Sequence, residues 1–458
     1  MRSLLFGLAS CFLALFSWAA ERPNIILFYA DDLGYTDLSC QGSDFYETPN
    51  IDRLAKEGMT FTQAYAAAAN CAPSRASLLT GLYTPRHGVF TVGNSDRGKS
   101  AHRKLIPLVN DRVLPRQLPT VAKALANAHY STAMAGKWHL SPDPTKYGFD
   151  QNFGGLQWGA PKSYFSPYKN PVLKDGPKGE HLPARLANEV CTWIRSTQNS
   201  PPKKSSQFGS SPKPASFFLY YPFYSVHTPI QARQDLTAKY TKKKPGTNHR
   251  HAKYAAMIEA MDLAIGRVLG ELDKLQIANE TLVVFTSDNG PFGGVGDARP
   301  LRGDKGHLYE GGIRVPLIVR WPGRIKAGAE SAEPVILTDF YPTLLEVAGL
   351  KPKSDHPGDG ESLLALLTGE GKPKREAIFW HYPNFAFHQD NRLGSAIRMG
   401  DYKLLEFFDK NEVELYNLKA DLGEKNDLAK DMPELAAKMR KRLQAWLLDS
   451  GAKMPRTR

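Results

Sequence analysis

Acidic side chains follow two separate apolar runs of the sequence, each at the point where the run ends. Asp31 and Asp32 come directly after the run Asn24–Ala30, and Asp288 with Asn289 closes a second such run. If both runs are strands of one open α/β sheet, their carboxyl ends face the same ligand crevice. Oxygen ligands of this kind favour a hard cation, Ca²⁺ or Mg²⁺, over zinc. The plainer interpretation, that each aspartate only caps a turn, is less favoured because two clusters occur together.

A cysteine occupies the second position that could do chemistry. In the segment from Cys71 to Gly81, Pro73 suits a first helical turn, the residues up to Thr80 are compatible with a helix, and Gly81 suits its end. Cys71 would then lie just before a helix N-terminus, where N–H groups and the helix dipole favour an anion. The alternative is an ordinary buried thiol in front of a short helix.

The number of cysteines also indicates a reactive thiol. The chain has four, and Cys11 belongs to a predicted leader that is removed. Cys40, Cys71 and Cys191 remain, an odd number for an exported protein, so one thiol is expected to be unpaired. The sequence leaves open whether Cys40 and Cys191 form a disulfide.

The elements that must position these groups alternate along the chain. Apolar, β-rich runs are separated by segments of helical periodicity, which predicts an α/β fold with a mostly parallel central sheet sandwiched by helices. The predicted strands are Asn24–Ala30, Ser131–Ala135, Ser216–Pro222, Thr281–Thr286 and Val315–Trp321. The predicted helices are Pro49–Gly58 with Thr48 as cap, Thr120–Ala128, Ala184–Ser196, His251–Leu275 and Leu337–Gly349.

The character of the chain changes near Lys372. Two short β-rich segments, Gly400–Leu405 and Val413–Leu418, predict a hairpin, and Glu434–Leu448 predicts a helix that covers it. We therefore expect a signal peptide over residues 1–20, a catalytic α/β domain over 21–371 and a small antiparallel subdomain over 372–458.

The N-terminus has the pattern of a secretory signal. A basic start precedes an apolar stretch from Leu4 to Phe16 that is too short to span a bilayer, and small residues precede a cleavage site near Ala20. A lipoprotein anchor at Cys11 is less favoured, because apolar residues continue to Trp18. No later segment predicts a membrane span, so we expect a periplasmic or extracellular protein.

The net charge of +13 predicts an affinity for polyanions. The sequence contains no zinc-finger, homeodomain or RNP pattern, so a nucleic-acid partner is not expected.

The run Cys71–Arg75, followed by Leu79-Thr80-Gly81, resembles the signature of the type I sulfatases of the alkaline phosphatase superfamily. The resemblance extends from Asn24 to the segment Glu414–Asn417, with the motifs in the family's order. It implies that a formylglycine-generating enzyme oxidises Cys71 to formylglycine, whose hydrated aldehyde is the nucleophile. It also implies a site for Ca²⁺ (or Mg²⁺) with the ligands Asp31, Asp32, modified Cys71, Asp288 and Asn289.

The same resemblance implies roles for three cationic side chains. Arg75 corresponds to the arginine that holds formylglycine, while Lys137, in a Gly-Lys-Trp-His run, and Lys305 correspond to lysines that bind sulfate. These roles agree with elementary electrostatics. A sulfate monoester is an anion, and a nucleophile approaches it readily only where positive charges offset its own.

Proton transfer is implied for another group of side chains. Asp288 would accept the proton of the attacking hydroxyl, and His139 would take the proton of the second hydroxyl when sulfate leaves. His227, in a His-Thr-Pro run, would assist the departing alkoxide together with Lys305. His307, two residues further on, is a candidate substrate contact or an ordinary loop histidine.

The implied function is hydrolysis of sulfate esters on a carbohydrate. Two alternatives stay open: a formylglycine-dependent hydrolase of phosphonates or phosphodiesters, and a non-catalytic binder of sulfated glycans. The sequence does not identify the sugar or the position of its sulfate. Candidate subsite residues in the loops between motifs are Arg86, His87, Trp158, Tyr164, His381 and Arg392.

Overall fold

A computed structural model describes residues 22–94, 103–200, 214–385, 391–410 and 412–458. The predicted signal peptide, including Cys11, therefore lies outside the described residues. Within the described ranges, no helix has both the length and the apolar character needed to cross a membrane.

The regular elements alternate as the sequence predicts. The strands are β1 Asn24–Ala30, β2 Met59–Phe61, β3 Ala64–Tyr65, β4 Leu105–Ile106, β5 Ser131–Ala135, β6 Gln151–Phe153, β7 Phe217–Pro222, β8 Thr281–Ser287, β9 Leu317–Arg320, β10 Ala329–Ser331, β11 Val335–Ile336, β12 Ala377–Tyr382, β13 Gly394–Met399, β14 Tyr402–Phe407, β15 Glu412–Asn417 and β16 Arg456–Thr457. The helices are α1 Pro49–Glu57, α2 Cys71–Thr80, α3 Thr84–His87, α4 Val121–Asn127, α5 Leu182–Gln198, α6 Gln234–Lys242, α7 Ala252–Lys274, α8 Glu310–Ile313, α9 Phe340–Val347, α10 Leu364–Thr368 and α11 Pro433–Asp449.

The central sheet has the strand order β10-β2-β9-β8-β1-β7-β5-β6. The five strands from β8 to β6 run parallel, which confirms the prediction of a mostly parallel α/β fold. Strand β9 runs antiparallel to β8 and to β2, a direction that its apolar sequence does not reveal. Residues 315–316 and Trp321, which the prediction included, lie outside β9.

Helices cover both faces of this sheet. Ile25, Leu27 and Tyr29 of β1 face one hydrophobic core, and the intervening Ile26 and Phe28 face the other. This is why β1 is apolar throughout: side chains of a strand alternate between two buried faces.

Of two predicted helix ends, the structure confirms Gly81 as the end of α2 but does not confirm Thr48 as a side-chain cap of α1. Gly81 ends α2 in a left-handed conformation, with φ of 69°, and its N–H group bonds Ser77. Thr48 precedes α1, but its side chain accepts no hydrogen bond from the helix; the hydroxyl donates to Asp52 instead.

A second, antiparallel sheet of order β12-β13-β14-β15 carries α11 on one side. The predicted hairpin corresponds to β14 and β15, whereas β12 and β13 were not predicted. The division into domains at residue 371 stays a prediction.

A buried ion cluster joins strand β14 of the second sheet to helix α8. The Lys403 ammonium lies 3.0 Å from carboxylate oxygens of both Glu310 and Glu424, and all three side chains are fully buried. The Tyr65 hydroxyl donates to Glu310 at 2.8 Å, which satisfies a further lone pair. Glu310 also pairs with Arg314 at 3.2 Å, so loss of the Lys403 ammonium would leave chiefly the buried Glu424 without a cationic partner.

Lys403→Met is therefore expected to lower the free energy of unfolding by about 3–5 kcal/mol. Urea denaturation measures this change, with Lys419→Met, at an exposed position, as the control. A loss below about 1 kcal/mol, the usual worth of a surface ion pair, would contradict this account of the cluster.

Candidate active site

The acidic site lies where β1 and β8 end side by side. Ala30 is in register with Ser287, so Asp31 and Asp288 emerge next to each other. The Asp32 N–H donates to Asp288 Oδ1 at 3.1 Å, which draws the third carboxylate into the group. All three side chains are buried.

Cys71 lies against these carboxylates from the other side. It is the first residue of α2 rather than the residue before it, and Asn70 caps the helix by accepting the Cys71 N–H at 3.0 Å. Its Sγ is 3.7 Å from Asp32 Oδ1. One candidate ligand atom from each of Asp31, Asp32, Cys71 and Asp288 fits within a mutual distance of 4.8 Å.

Three buried cations contact the carboxylates, and one of them, Arg75, contacts both Asp288 and Asp31. The Lys137 ammonium is 2.6 Å from Asp31 Oδ2, and the Lys305 ammonium is 2.6 Å from Asp32 Oδ1. The third cation, Arg75, donates to Asp288 Oδ2 at 2.6 Å and to the Lys137 carbonyl at 2.9 Å. The structure thus brings together six of the charged residues that the sequence singled out.

The charges shift one another's ionisation. Burial acts to raise the pKa of Asp32, but Lys305 and His227 outweigh it and hold that pKa below its usual range. Burial lowers the pKa of Lys305, yet the nearby Asp32 prevails and raises it. Burial also raises the pKa of the Cys71 thiol, although Lys137 and Lys305 oppose the shift.

Two histidines border the charged cluster. His227 Nε2 lies 3.7 Å from Asp32 Oδ2, and burial followed by the charge of Lys137 lowers its pKa to about 3. His139 lies beside Lys137, and burial together with that charge depresses its pKa well below the ordinary value. Both imidazoles are therefore neutral near pH 7, the form that accepts a proton.

The buried oxygens fit a divalent cation. Asn289 donates its amide N–H groups to Asp32 Oδ1 and the Gly290 carbonyl, both at 2.8 Å, while its Oδ1 has no hydrogen-bond partner among the described residues. A buried amide oxygen beside three carboxylates lacks a positive partner. Carboxylate and amide oxygens are the ligands that Ca²⁺ and Mg²⁺ prefer.

Other predicted residues lie outside this cluster. His307 Nδ1 contacts Asp304 Oδ1 at 3.0 Å. Among the residues that the structure describes, His307 does not belong to the group of potential metal ligands. Several candidate subsite side chains pack into the scaffold: Arg86 pairs with Asp359, His87 bonds Ser77, His381 bonds Ser395 and Arg392 pairs with Asp409. Cys40 and Cys191 are both free thiols.

One supporting group, Tyr254, is not predicted from the sequence. The Tyr254 hydroxyl donates to the Asp32 carbonyl at 3.1 Å and to Asp37 Oδ2 at 2.8 Å, and Asp37 also accepts the Gly34 N–H. These bonds hold the backbone at Asp32, whose φ of 60° is unusual for a residue with a side chain. Tyr254 lies on a helix among apolar residues, where its pattern indicates only core packing.

Comparison with known proteins gives the family. Residues 23–350 match the sulfatase family, and residues 302–449 match the C-terminal family of N-sulphoglucosamine sulphohydrolase. The chain belongs to the sulfatase family.

Relatives of this sulfatase resemble it over most of its length. A sulfatase of Formosa agariphila is 36% identical over 95% of this chain and 90% of its own. The N-acetylgalactosamine-6-sulfatase of Canis lupus familiaris is 34% identical over 84% of this chain and 72% of its own. The crystal structure of Ps i-CgsB has a TM-score of 0.78 at 30% identity, covering 94% of each chain. The protein is thus a sulfuric ester hydrolase with an alkaline phosphatase-like fold, as its sequence motifs indicate.

The position of Lys137 and His139 in this sulfatase depends on Gly136. Its φ is 116°, and a Cβ there would lie 2.0 Å from the Pro222 carbonyl oxygen. The close approach allows the Lys137 N–H to bond that carbonyl at 2.7 Å.

Gly136→Ala is expected to lower the free energy of unfolding by about 2 kcal/mol or more and to reduce sulfatase activity, because the backbone that carries Lys137 must move. Gly179→Ala is the matched control: its φ is 84°, but no atom lies within 4 Å of the added Cβ. Equal losses in the two variants would contradict a role for the close approach.

Proposed function

We propose that this sulfatase removes sulfate from a sulfated carbohydrate, with formylglycine at position 71 as the nucleophile and Ca²⁺ bound beside it. The observation that carries the proposal is the convergence of three carboxylates and three cations on one buried cysteine. Names of relatives support the substrate class. One is an N-acetylgalactosamine-6-sulfatase, and the Ps i-CgsB structure at 31% identity is a complex with k-i-k-neocarrahexaose.

Under this proposal, the cation is held by Asp31, Asp32, Asp288 and Asn289 with residue 71. When bound, it would offset the negative charge of these carboxylates and polarise an oxygen of the ester. Oxidation of Cys71 by a formylglycine-generating enzyme would supply a hydrated aldehyde as the attacking group.

The cationic side chains bind and orient the ester. The ammonium groups of Lys137 and Lys305 contact different carboxylates of the cluster. Each ammonium has further N–H donors that can bind sulfate oxygens. Arg75 holds the Asp288 carboxylate in place beside residue 71 through a contact of 2.6 Å. Fixed positive charges in a buried site stabilise charge that develops on sulfate more strongly than water does.

Ionisable side chains then move protons. The Asp288 carboxylate accepts the proton of the attacking hydroxyl, and the neutral His139 takes the proton of the second hydroxyl when sulfate departs. The ammonium of Lys305 and an N–H of His227 stabilise the oxygen of the leaving sugar, which is a poor leaving group when unassisted. The export signal over residues 1–20, with a periplasmic or extracellular location, is part of the same proposal.

Cys71→Ala is expected to reduce sulfate release from sulfated oligosaccharides by at least about 10³-fold, because it removes the proposed nucleophile. Protein made with a formylglycine-generating enzyme and assayed by sulfate chromatography measures this, with Cys40→Ala as the matched control. Phosphodiesters are assayed in parallel. Faster turnover of phosphodiesters, or glycan binding without turnover by correctly modified protein, would contradict the proposal.

Calcium is expected to raise the free energy of unfolding by about 2.7 kcal/mol when its free concentration is a hundred times its Kd. Thermal denaturation in Ca²⁺, in Mg²⁺ and in chelator measures the effect as a change in Tm. Asn289→Leu should reduce it, whereas Asn127→Leu, at the exposed end of α4, should not. An equal response to Ca²⁺ in both variants would exclude Asn289 as a ligand.

A further inference from the structure

A cleft of about 680 Å³ is used by none of the steps above. Its walls come from α6, from the first turn of α7 at Lys253, and from loop residues near Phe165 and Gln231. The volume is in the range of pockets that bind small ligands, and it suits one or two sugar units.

One wall of the cleft is continuous with the segment that carries His227. Residues 230–232 line the cleft and follow His227 by a few positions. Gln231 Oε1 accepts the N–H of Tyr164 at 2.9 Å, and the Tyr164 hydroxyl donates to the His227 carbonyl at 2.9 Å. Only the buried side chain of Tyr164 therefore separates Gln231, in the wall of the cleft, from the backbone of His227.

Another wall is continuous with the loop that covers His139. The His139 N–H donates to the Leu156 carbonyl at 2.9 Å, and a Cβ added to Gly159 would lie 2.8 Å from His139 Nε2. From there the chain runs to Ser163, which lines the cleft. The half-buried Trp158 lies on the same loop, with the Lys162 ammonium 5.1 Å from its ring centroid.

The topology puts the cleft at the catalytic edge of the sheet. Helix α7 leads into β8, whose carboxyl end carries Asp288, so α7 must run back along the sheet from that edge. Its first turn, with Lys253, therefore lies at the edge where Asp31 and Asp288 emerge.

The lining has the chemistry of a site for an anionic sugar. Lys242 and Lys253 are exposed, and neither forms an ion pair within the part of the chain that the structure describes. Gln234 offers amide groups for sugar hydroxyls, and the half-buried Phe165 offers an apolar surface. An ammonium is a suitable point charge for a sulfate or carboxylate group.

We propose that this cleft binds a second anionic sugar of the glycan whose sulfate ester is cleaved. The inference rests on the proposed function, and it narrows the substrate to an oligosaccharide or polysaccharide with negative charge on a neighbouring sugar. A monosaccharide sulfate would fill the catalytic site and leave the cleft empty.

Two variants test this by different means. Lys242→Glu with Lys253→Glu reverses the charge of the cleft, and Ala238→Trp fills it from the exposed face of α6. Both are expected to lower kcat/KM for sulfated tetrasaccharides by about tenfold or more. The change should lie mainly in KM, because the cleft binds a sugar that is remote from the reacting atoms. Turnover of para-nitrophenyl sulfate, which has no second sugar to occupy the cleft, should stay within about twofold of the unaltered enzyme.

The control double variant Lys438→Glu with Lys441→Glu makes the same charge change on the exposed side of α11. Chondroitin sulfate and carrageenan tetrasaccharides are the probes, and their binding is also titrated by calorimetry without turnover. If no ester is hydrolysed, the proposed function fails, but weaker tetrasaccharide binding in the cleft variants alone would still support the cleft. Equal effects in cleft and control variants, an equal loss on para-nitrophenyl sulfate, or unchanged binding and turnover would overturn it.

Discussion

Three carboxylates are buried together at the ends of β1 and β8, and the rest of the site follows from the need to balance them. Like charges removed from water repel one another and lose hydration, so each requires a partner. Here Lys137 and Lys305 each contact one carboxylate, and Arg75 contacts two. A bound divalent cation would share the same oxygens and leave the site positive, which is the charge that a sulfate ester needs.

That requirement explains several local features of the backbone. Arg75 reaches Asp288 because α2 is buried along its whole length and begins at Cys71. Lys137 reaches Asp31 because Gly136 permits a contact that no other residue would. The N–H of Gly306, the residue after Lys305, donates a hydrogen bond to the Ala69 carbonyl. This bond ties Lys305 to the segment just before Cys71. These contacts hold Arg75, Lys137 and Lys305, which are far apart in sequence, around the Cys71 side chain.

Much of this could be predicted from the sequence because the signals are local. The alternation of apolar runs and helices yields the parallel core, and strand ends locate Asp31 and Asp288 at one edge. The features that were not predicted depend on contacts between segments far apart in the sequence. The antiparallel direction of β9, the strands β12 and β13, and the support of Asp32 by Tyr254 depend on partners that no short pattern encodes.

We propose that residue 71 acts as formylglycine among these charges rather than as cysteine. Mass spectrometry of the peptide containing position 71, taken from a preparation that releases sulfate, measures this modification. The expected result is the mass of an aldehyde in place of the thiol, in a fraction of molecules that rises with specific activity. An intact thiol throughout a fully active preparation would contradict it.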